Sequence, residues 1–184
     1  KRSSLITDPA DGRLPPLTTK AEQEQAAAAA YTKQHPYDGP EDIALSLRCV
    51  TGSVPMFGAG YNNYYQIVQS PTYVGINMEM RHDLRMVPIG NQPHLANGVP
   101  QWLGDSRGHW EGDTLVVDVK YFTDQTWLDR AGNFHSEDLH VVERYTMTTP
   151  DHIHYEATLE DGKVFTRPWK ISLVLYRRKE ANVR

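Results

Sequence analysis

"LHVVERYTMTTPDHIHYEATLEDG", Leu139 to Gly162, is the stretch whose reading decides the fold. From Leu139 to Thr149 apolar and polar residues alternate, the pattern of a strand with one buried face. Pro150 and Asp151 are turn formers. Alternation resumes from Ile153 to Leu159 and stops at "EDG". Two strands joined by so short a connection lie antiparallel.

The same grammar extends in both directions. "SRGHW" (Ser106–Trp110) and "TLVVDVKYF" (Thr114–Phe122) flank the turn "EGD". "KVFTRPWKISLVLYRR" (Lys163–Arg178) follows, while "YNNYYQIVQS" (Tyr61–Ser70) and "TYVGINMEMRHDLRMVPI" (Thr72–Ile89) precede. Read this way, the chain has roughly seven strands and no alternation of helix with strand, so it is mainly β and antiparallel. An up-and-down barrel of lipocalin or calycin type is the economical closure, because it removes exposed edges.

A chain of 184 residues favours one globular unit. Residues 1–60 read as an N-terminal extended arm with helices packing on a barrel formed by residues 61–184. "TTKAEQEQAAAAAYTKQ" is the clearest helix, with Thr19 and Glu22 fitting a capping box and an alanine run of high propensity. "GPEDIALSLRCV" reads as a second, short helix that begins near Pro40 and offers Ile43, Leu45 and Leu47 for burial.

Composition excludes several function classes. Nineteen Lys and Arg against 23 Asp and Glu give a net charge of −4 and no basic stripe, which argues against nucleic acid as partner. No apolar run reaches the roughly 20 residues a spanning helix needs, so no membrane insertion is expected. Cys49 is the single cysteine, which rules out an internal disulfide and a thiolate metal cluster. His152 and His154 share a strand face, but no third ligand stands at a zinc-motif spacing, and no metal is assigned. No phosphate-binding glycine loop, nucleophile elbow or other cofactor motif occurs, so no cofactor is implied.

The informative residues interrupt apolar faces. His82 falls among Val74, Ile76, Met78, Met80, Leu84 and Met86. Glu143 falls among Leu139, Val141, Tyr145 and Met147, and Arg167 among Phe165, Trp169, Ile171, Leu173 and Leu175. Tyr155 adds a phenol to the face of Ile153, Ala157 and Leu159. A buried carboxylate needs a partner, and the planar fork of Arg167 is the expected one for Glu143. Arg85 alternates onto the opposite face and reads as solvated.

Two readings of this set stay open: a structural Glu143–Arg167 pair, and a site in which Glu143 and His82 share acid–base work, Tyr155 donates a proton and Arg167 clamps an anion. Tyr64, Trp127, His140 and Trp169 are the expected ligand-binding residues, since aromatic walls suit a planar or sugar-like molecule. The long connection "YFTDQTWLDRAGNFHSEDLH" carries Trp127, Asp129, Arg130, His135 and His140, and reads as a lid over one barrel mouth.

The densest motif is "WLGDSRGHWEGDTLVV", Trp102 to Val117. Its second half is a hairpin, with Gly112 and Asp113 in the turn. Its first half offers Asp105 and Arg107, either as a pair that locks the barrel rim or as groups that reach the barrel mouth.

With "DPADGRLPPLT", "YDGPEDIALSLRC", "MEMRHDLRMVPI", "LHVVERYT" and "FTRPW", this motif resembles a family of small secreted proteins common in soil bacteria. The resemblance covers nearly the whole chain. It implies a signal peptide already removed before Lys1, a periplasmic or extracellular setting and a further C-terminal piece beyond "YRRKEANVR". It implies no particular activity.

Three functions follow from the residues. The first is a cofactor-independent lyase, isomerase or hydrolase acting on a small organic or sugar-derived substrate. The second is a lipocalin-like carrier, and the third a structural domain with a filled core. Self-association through the N-terminal arm is the expected macromolecular contact.

Overall fold

The computed structural model describes residues 4–43, 48, 54–56, 63–96, 98–129 and 133–179. Cys49, Tyr61 and Arg130, and Leu45 and Leu47 of the second expected helix, lie outside these. Among the described residues nine strands and one α-helix follow in chain order: β1 (Ile6–Asp8), α1 (Thr19–Gln34), β2 (Tyr65–Gln69), β3 (Tyr73–Met78), β4 (Leu84–Pro88), β5 (Asp105–Glu111), β6 (Thr114–Lys120), β7 (His140–Thr149), β8 (His152–Glu160) and β9 (Trp169–Tyr176). Short 3-10 turns cover Pro40–Asp42 and Met80–His82.

The mainly β, antiparallel expectation holds, with the strands divided between two sheets. One has six strands in the order β1-β9-β8-β7-β6-β5, and the other has three, β2-β3-β4. Between β4 and β5 the chain makes one parallel bridge, Ile89 to Gly108. Among the described residues no ladder closes the sheets into a barrel. Gly108 is needed at this junction, because a Cβ there would lie 2.6 Å from Ile89 and 2.8 Å from Val87.

The core fills the space between the sheets. Leu115, Val117 and Val119 of β6, Val141 of β7, Ala157 and Leu159 of β8, and Trp169 and Ile171 of β9 face Val74, Ile76 and Val87 of the small sheet. This is the period-two burial that Leu139–Gly162 announces, and the register pairs Glu143 with Ala157 and Tyr145 with Tyr155.

The expected long strand from Thr72 to Ile89 is two strands, and this is the main correction. It breaks after Met78 into a tight turn in which Arg81 and His82 take positive φ values of 64° and 58°. The turn reverses the chain so that β3 pairs with β4, placing Ile76 opposite Arg85. The alternation restarts out of phase. Arg85 and Val87 point inward, while His82, Leu84 and Met86 are exposed. His82 therefore does not face the interior.

Arg167 is the second correction. β9 begins only at Trp169, so the strand's alternation does not reach residue 167. Arg167 lies in the turn before it, exposed, with Nη2 donating to Asp8 Oδ1 at 2.8 Å. It ties the N-terminal arm to the sheet edge instead of meeting Glu143.

The arm does more than pack on the outside: β1 extends the large sheet beside β9, pairing Ile6 with Ile171. The segment before α1 is tied to residues 163–166. Thr18 N donates to Val164 O at 2.9 Å and Thr166 N donates to Pro16 O at 3.0 Å. The helix cap is Thr18, one residue earlier than the expected Thr19, and its hydroxyl accepts from Ala21 N at 3.2 Å. Ala21 is the buried contact of an otherwise exposed helix.

Candidate functional site

Two clusters of polar side chains stand out, one inside the sheets and one on the outer face of the large sheet. The interior cluster centres on Glu143, which is fully buried. Its Oε1 accepts from the Tyr155 hydroxyl at 2.7 Å and the Tyr145 hydroxyl at 3.0 Å. Its Oε2 accepts a short hydrogen bond from Arg85 Nη2. The Tyr155 oxygen in turn accepts from Met56 N at 3.0 Å, and Arg85 Nη2 reaches the Tyr145 oxygen at 3.3 Å.

This arrangement explains how a carboxylate survives in the core: three donors replace the water it lost. Burial, and then the Glu143 charge, push both phenols well above their ordinary range. Burial opposes the charge of Arg85, but Glu143 and the phenols facing it outweigh that and hold the guanidinium protonated. Glu143 and Tyr155 do meet on one interior face, as the alternation indicated. Their cation is Arg85 from β4, so the pair links the small sheet to the large one. With its oxygens occupied by three donors, Glu143 has the bonding pattern of a structural tie.

The second cluster is built on the outward residues of β5, β6 and β7. In register, Asp105 lies opposite Lys120, and Arg107 opposite Asp118. The β4–β5 connection folds over this face and inserts His94 between two carboxylates. His94 Nδ1 is 2.8 Å from Asp105 Oδ2, and its Nε2 is 2.7 Å from Asp118 Oδ1. The other oxygen of Asp118 is 2.8 Å from His140 Nε2. Asp105 also accepts from Leu95 N at 2.9 Å and Arg107 Nη1 at 2.5 Å, and Arg107 Nε donates to Pro93 O at 2.7 Å. The Asp105–Arg107 pair that the tryptophan-rich motif indicated is present, and with no closed barrel it fastens this loop instead of a rim.

Partial burial works against the charge of Asp118, but hydrogen bonds from His140 and His94 outweigh it and lower its pKa to about 2. One carboxylate therefore orients two imidazoles. His140 Nε2 donates to Asp118, which leaves Nδ1 as the basic nitrogen. Among the described residues nothing bonds that Nδ1.

His140 also borders a cleft of about 390 Å³, lined by Gly98 and Pro100 from the β4–β5 connection, Lys120, Tyr121 and Phe122 after β6, and Glu137 to His140 before and into β7. Tyr121 holds a positive φ of 59°, unusual for an aromatic residue. Its ring closes against Gly98, where a Cβ would approach to 3.0 Å, and presents an edge to His94. Glu137 and Asp138 are engaged by Lys163 at 2.6 and 3.0 Å.

The remaining expected site residues lie apart from one another. Trp169 is buried against Phe165, as a core residue. Tyr64 is half-exposed at the start of β2, beneath the Arg178 guanidinium at 4.2 Å. Trp127 is exposed and bridges Phe134 within its own loop. That loop is pinned down: Thr126 Oγ1 and His135 Nε2 are 2.7 Å apart, Leu128 is buried, and Asp161 accepts from Ser136 N and Oγ. Of the expected ligand-binding residues only His140 stands in the cleft. His94 and Asp118 were missed. A charge in the apolar run "TLVVDVK" is a usable signal, whereas His94 lies in a loop without periodicity.

Among the described residues no group of three His, Cys, Asp or Glu side chains is arranged to hold a metal ion. No described helix is long and apolar enough to cross a membrane. No family model, curated protein or solved structure matches the chain.

Proposed function

We propose that the protein binds a small organic or sugar-derived molecule in the cleft beside His140 and acts on it by cofactor-independent acid–base chemistry of hydrolase, lyase or isomerase type. The observation that carries the reading is His140 on the cleft wall, its Nε2 2.8 Å from Asp118 and its second ring nitrogen bonded by nothing among the described residues. In this reading His140 Nδ1 takes a proton from water or from the substrate. The imidazolium that forms is stabilised by Asp118, and the proton passes to the leaving group. Lys120, also on the wall, supplies positive charge toward a developing oxyanion. Tyr121 supplies an aromatic surface.

The reading relocates the chemistry from Glu143 to His140 and does not depend on barrel closure. A lipocalin-like carrier that uses the same cleft without turnover is the alternative. The family resemblance supports an exported protein.

An activated ester tests the reading without knowledge of the substrate. The protein should cleave p-nitrophenyl acetate, and His140→Ala should reduce the rate by about 100-fold, within the range of general acid–base contributions. Asp118→Asn should reduce it by about tenfold through loss of ring orientation. Equal rates in the folded wild-type and His140→Ala proteins would contradict the assignment.

A further inference from the structure

We propose that His94 is a proton-dependent clasp that closes the β4–β5 connection over the edge of the His140 cleft. Both ring nitrogens of His94 face carboxylate oxygens, Asp105 Oδ2 at 2.8 Å and Asp118 Oδ1 at 2.7 Å. A carboxylate oxygen accepts and has no proton to give, so both nitrogens donate. Asp118 is held ionised, and Asp105 already accepts from Leu95 N and Arg107 Nη1. The closed loop therefore carries His94 with both ring protons. Loss of one proton turns a donor into an acceptor facing an acceptor, and one of the two bonds is lost.

The groups around the ring fit this role. Asp105 of β5 and Asp118 of β6 meet it directly; Arg107 stands on Asp105, Lys120 on Asp118, and His140 of β7 shares the Asp118 carboxylate. Tyr121 meets the ring edge-on at 5.8 Å between centroids. The same loop supplies Gly98 and Pro100 to the cleft wall, so its position sets access to His140. The sign follows from the proton count: a ring carrying both protons holds the loop closed, and loss of one releases it. Asp118 is the element shared by clasp and base, so loop position and His140 orientation are coupled through one side chain.

The clasp rests on the cleft reading only for what the loop covers. Its test is amide hydrogen exchange at Leu95, whose N–H is bonded to Asp105. Exchange is measured at about pH 5.5 and about pH 8 and corrected for the intrinsic rate. The expected protection in the wild type is roughly tenfold greater at the lower pH. That dependence disappears in His94→Gln and persists in His140→Ala. Equal protection at both pH values, or a dependence that survives in His94→Gln, overturns the clasp. If His94→Gln does not fold, the wild-type comparison decides alone. Because the readout is exchange and not turnover, an inert His140 with an intact clasp overturns the catalytic reading alone, and an active His140 beside a pH-independent loop overturns the clasp alone.

Discussion

Glu143 and Gly104 carry the sharpest consequences of a single side chain. Removing the Glu143 charge strands the Arg85 guanidinium in a buried site, and breaking a buried pair in this way costs about 3–5 kcal/mol. Glu143→Gln should lower unfolding stability in urea by that amount, and combining Glu143→Leu with Arg85→Met should recover most of it. Equal losses in the single and double variants would show that the pair is not the tie between the sheets. Gly104 sits at φ 68°, where a Cβ would lie 2.7 Å from Val119 and 2.9 Å from Phe122. Gly104→Ala should therefore cost about 2 kcal/mol or more, read from the same denaturation curve. At this scale the sequence was partly legible. Glu143 and Tyr155 interrupt apolar faces in strands whose alternation runs unbroken. Arg85 was not legible, because its parity is set by a turn that the pattern does not mark.

That turn belongs to the scale of elements. "GINMEMRHDLRMV" reads as one alternating strand, since every second residue from Ile76 to Met86 is compatible with one face. The chain instead bends at Arg81 and His82, both in the left-handed region, where a non-glycine residue costs about 1 kcal/mol. His82→Gly should raise stability by roughly 0.5–1 kcal/mol, whereas a glycine in a continuous strand would lower it by a similar amount. The sign of the change in thermal midpoint separates the two geometries. The β4–β5 connection makes a second prediction. Hydrogen bonds from His140 and His94 hold Asp118 at about 2, below the ordinary aspartate value, so its contribution is present above that ordinary value and is lost as pH falls toward about 2. Protection of Leu95 should therefore fall between about pH 4 and about pH 2, and Asp118→Asn should flatten this acid limb. The β5–β6 hairpin was legible to within a residue: Glu111, read as part of the turn, ends β5 opposite Thr114, and Gly112 takes the positive φ of 57° that a two-residue turn requires at its first position.

Across the whole molecule, antiparallel strands and an N-terminal extension follow from periodicity and turn chemistry, which are local properties. The division into two sheets is not local. It depends on the turn at residues 79–83 and on the close approach at Gly108, neither of which alternation encodes. The same distinction applies to the candidate site. An interior set of His82, Glu143, Tyr155 and Arg167 was expected from polar residues on apolar faces; Glu143 and Tyr155 are interior and meet Arg85 and Tyr145 there, while His82 and Arg167 are exposed. The cleft whose imidazole nitrogen nothing bonds among the described residues lies elsewhere, on the outer face, where polar residues are ordinary and no single one is conspicuous. Asp105, Asp118, His94 and His140 become a unit only when a loop folds over three strands.

The most direct test of that unit is a ¹⁵N–¹H correlation spectrum of the histidine rings of the wild-type protein at about pH 8, above the usual histidine range. The neutral tautomer of His140 is expected to carry its proton on Nε2, facing Asp118, with Nδ1 bare, and this preference is expected to switch in Asp118→Asn. A His140 protonated on Nδ1, or a tautomer unchanged by Asp118→Asn, would contradict it.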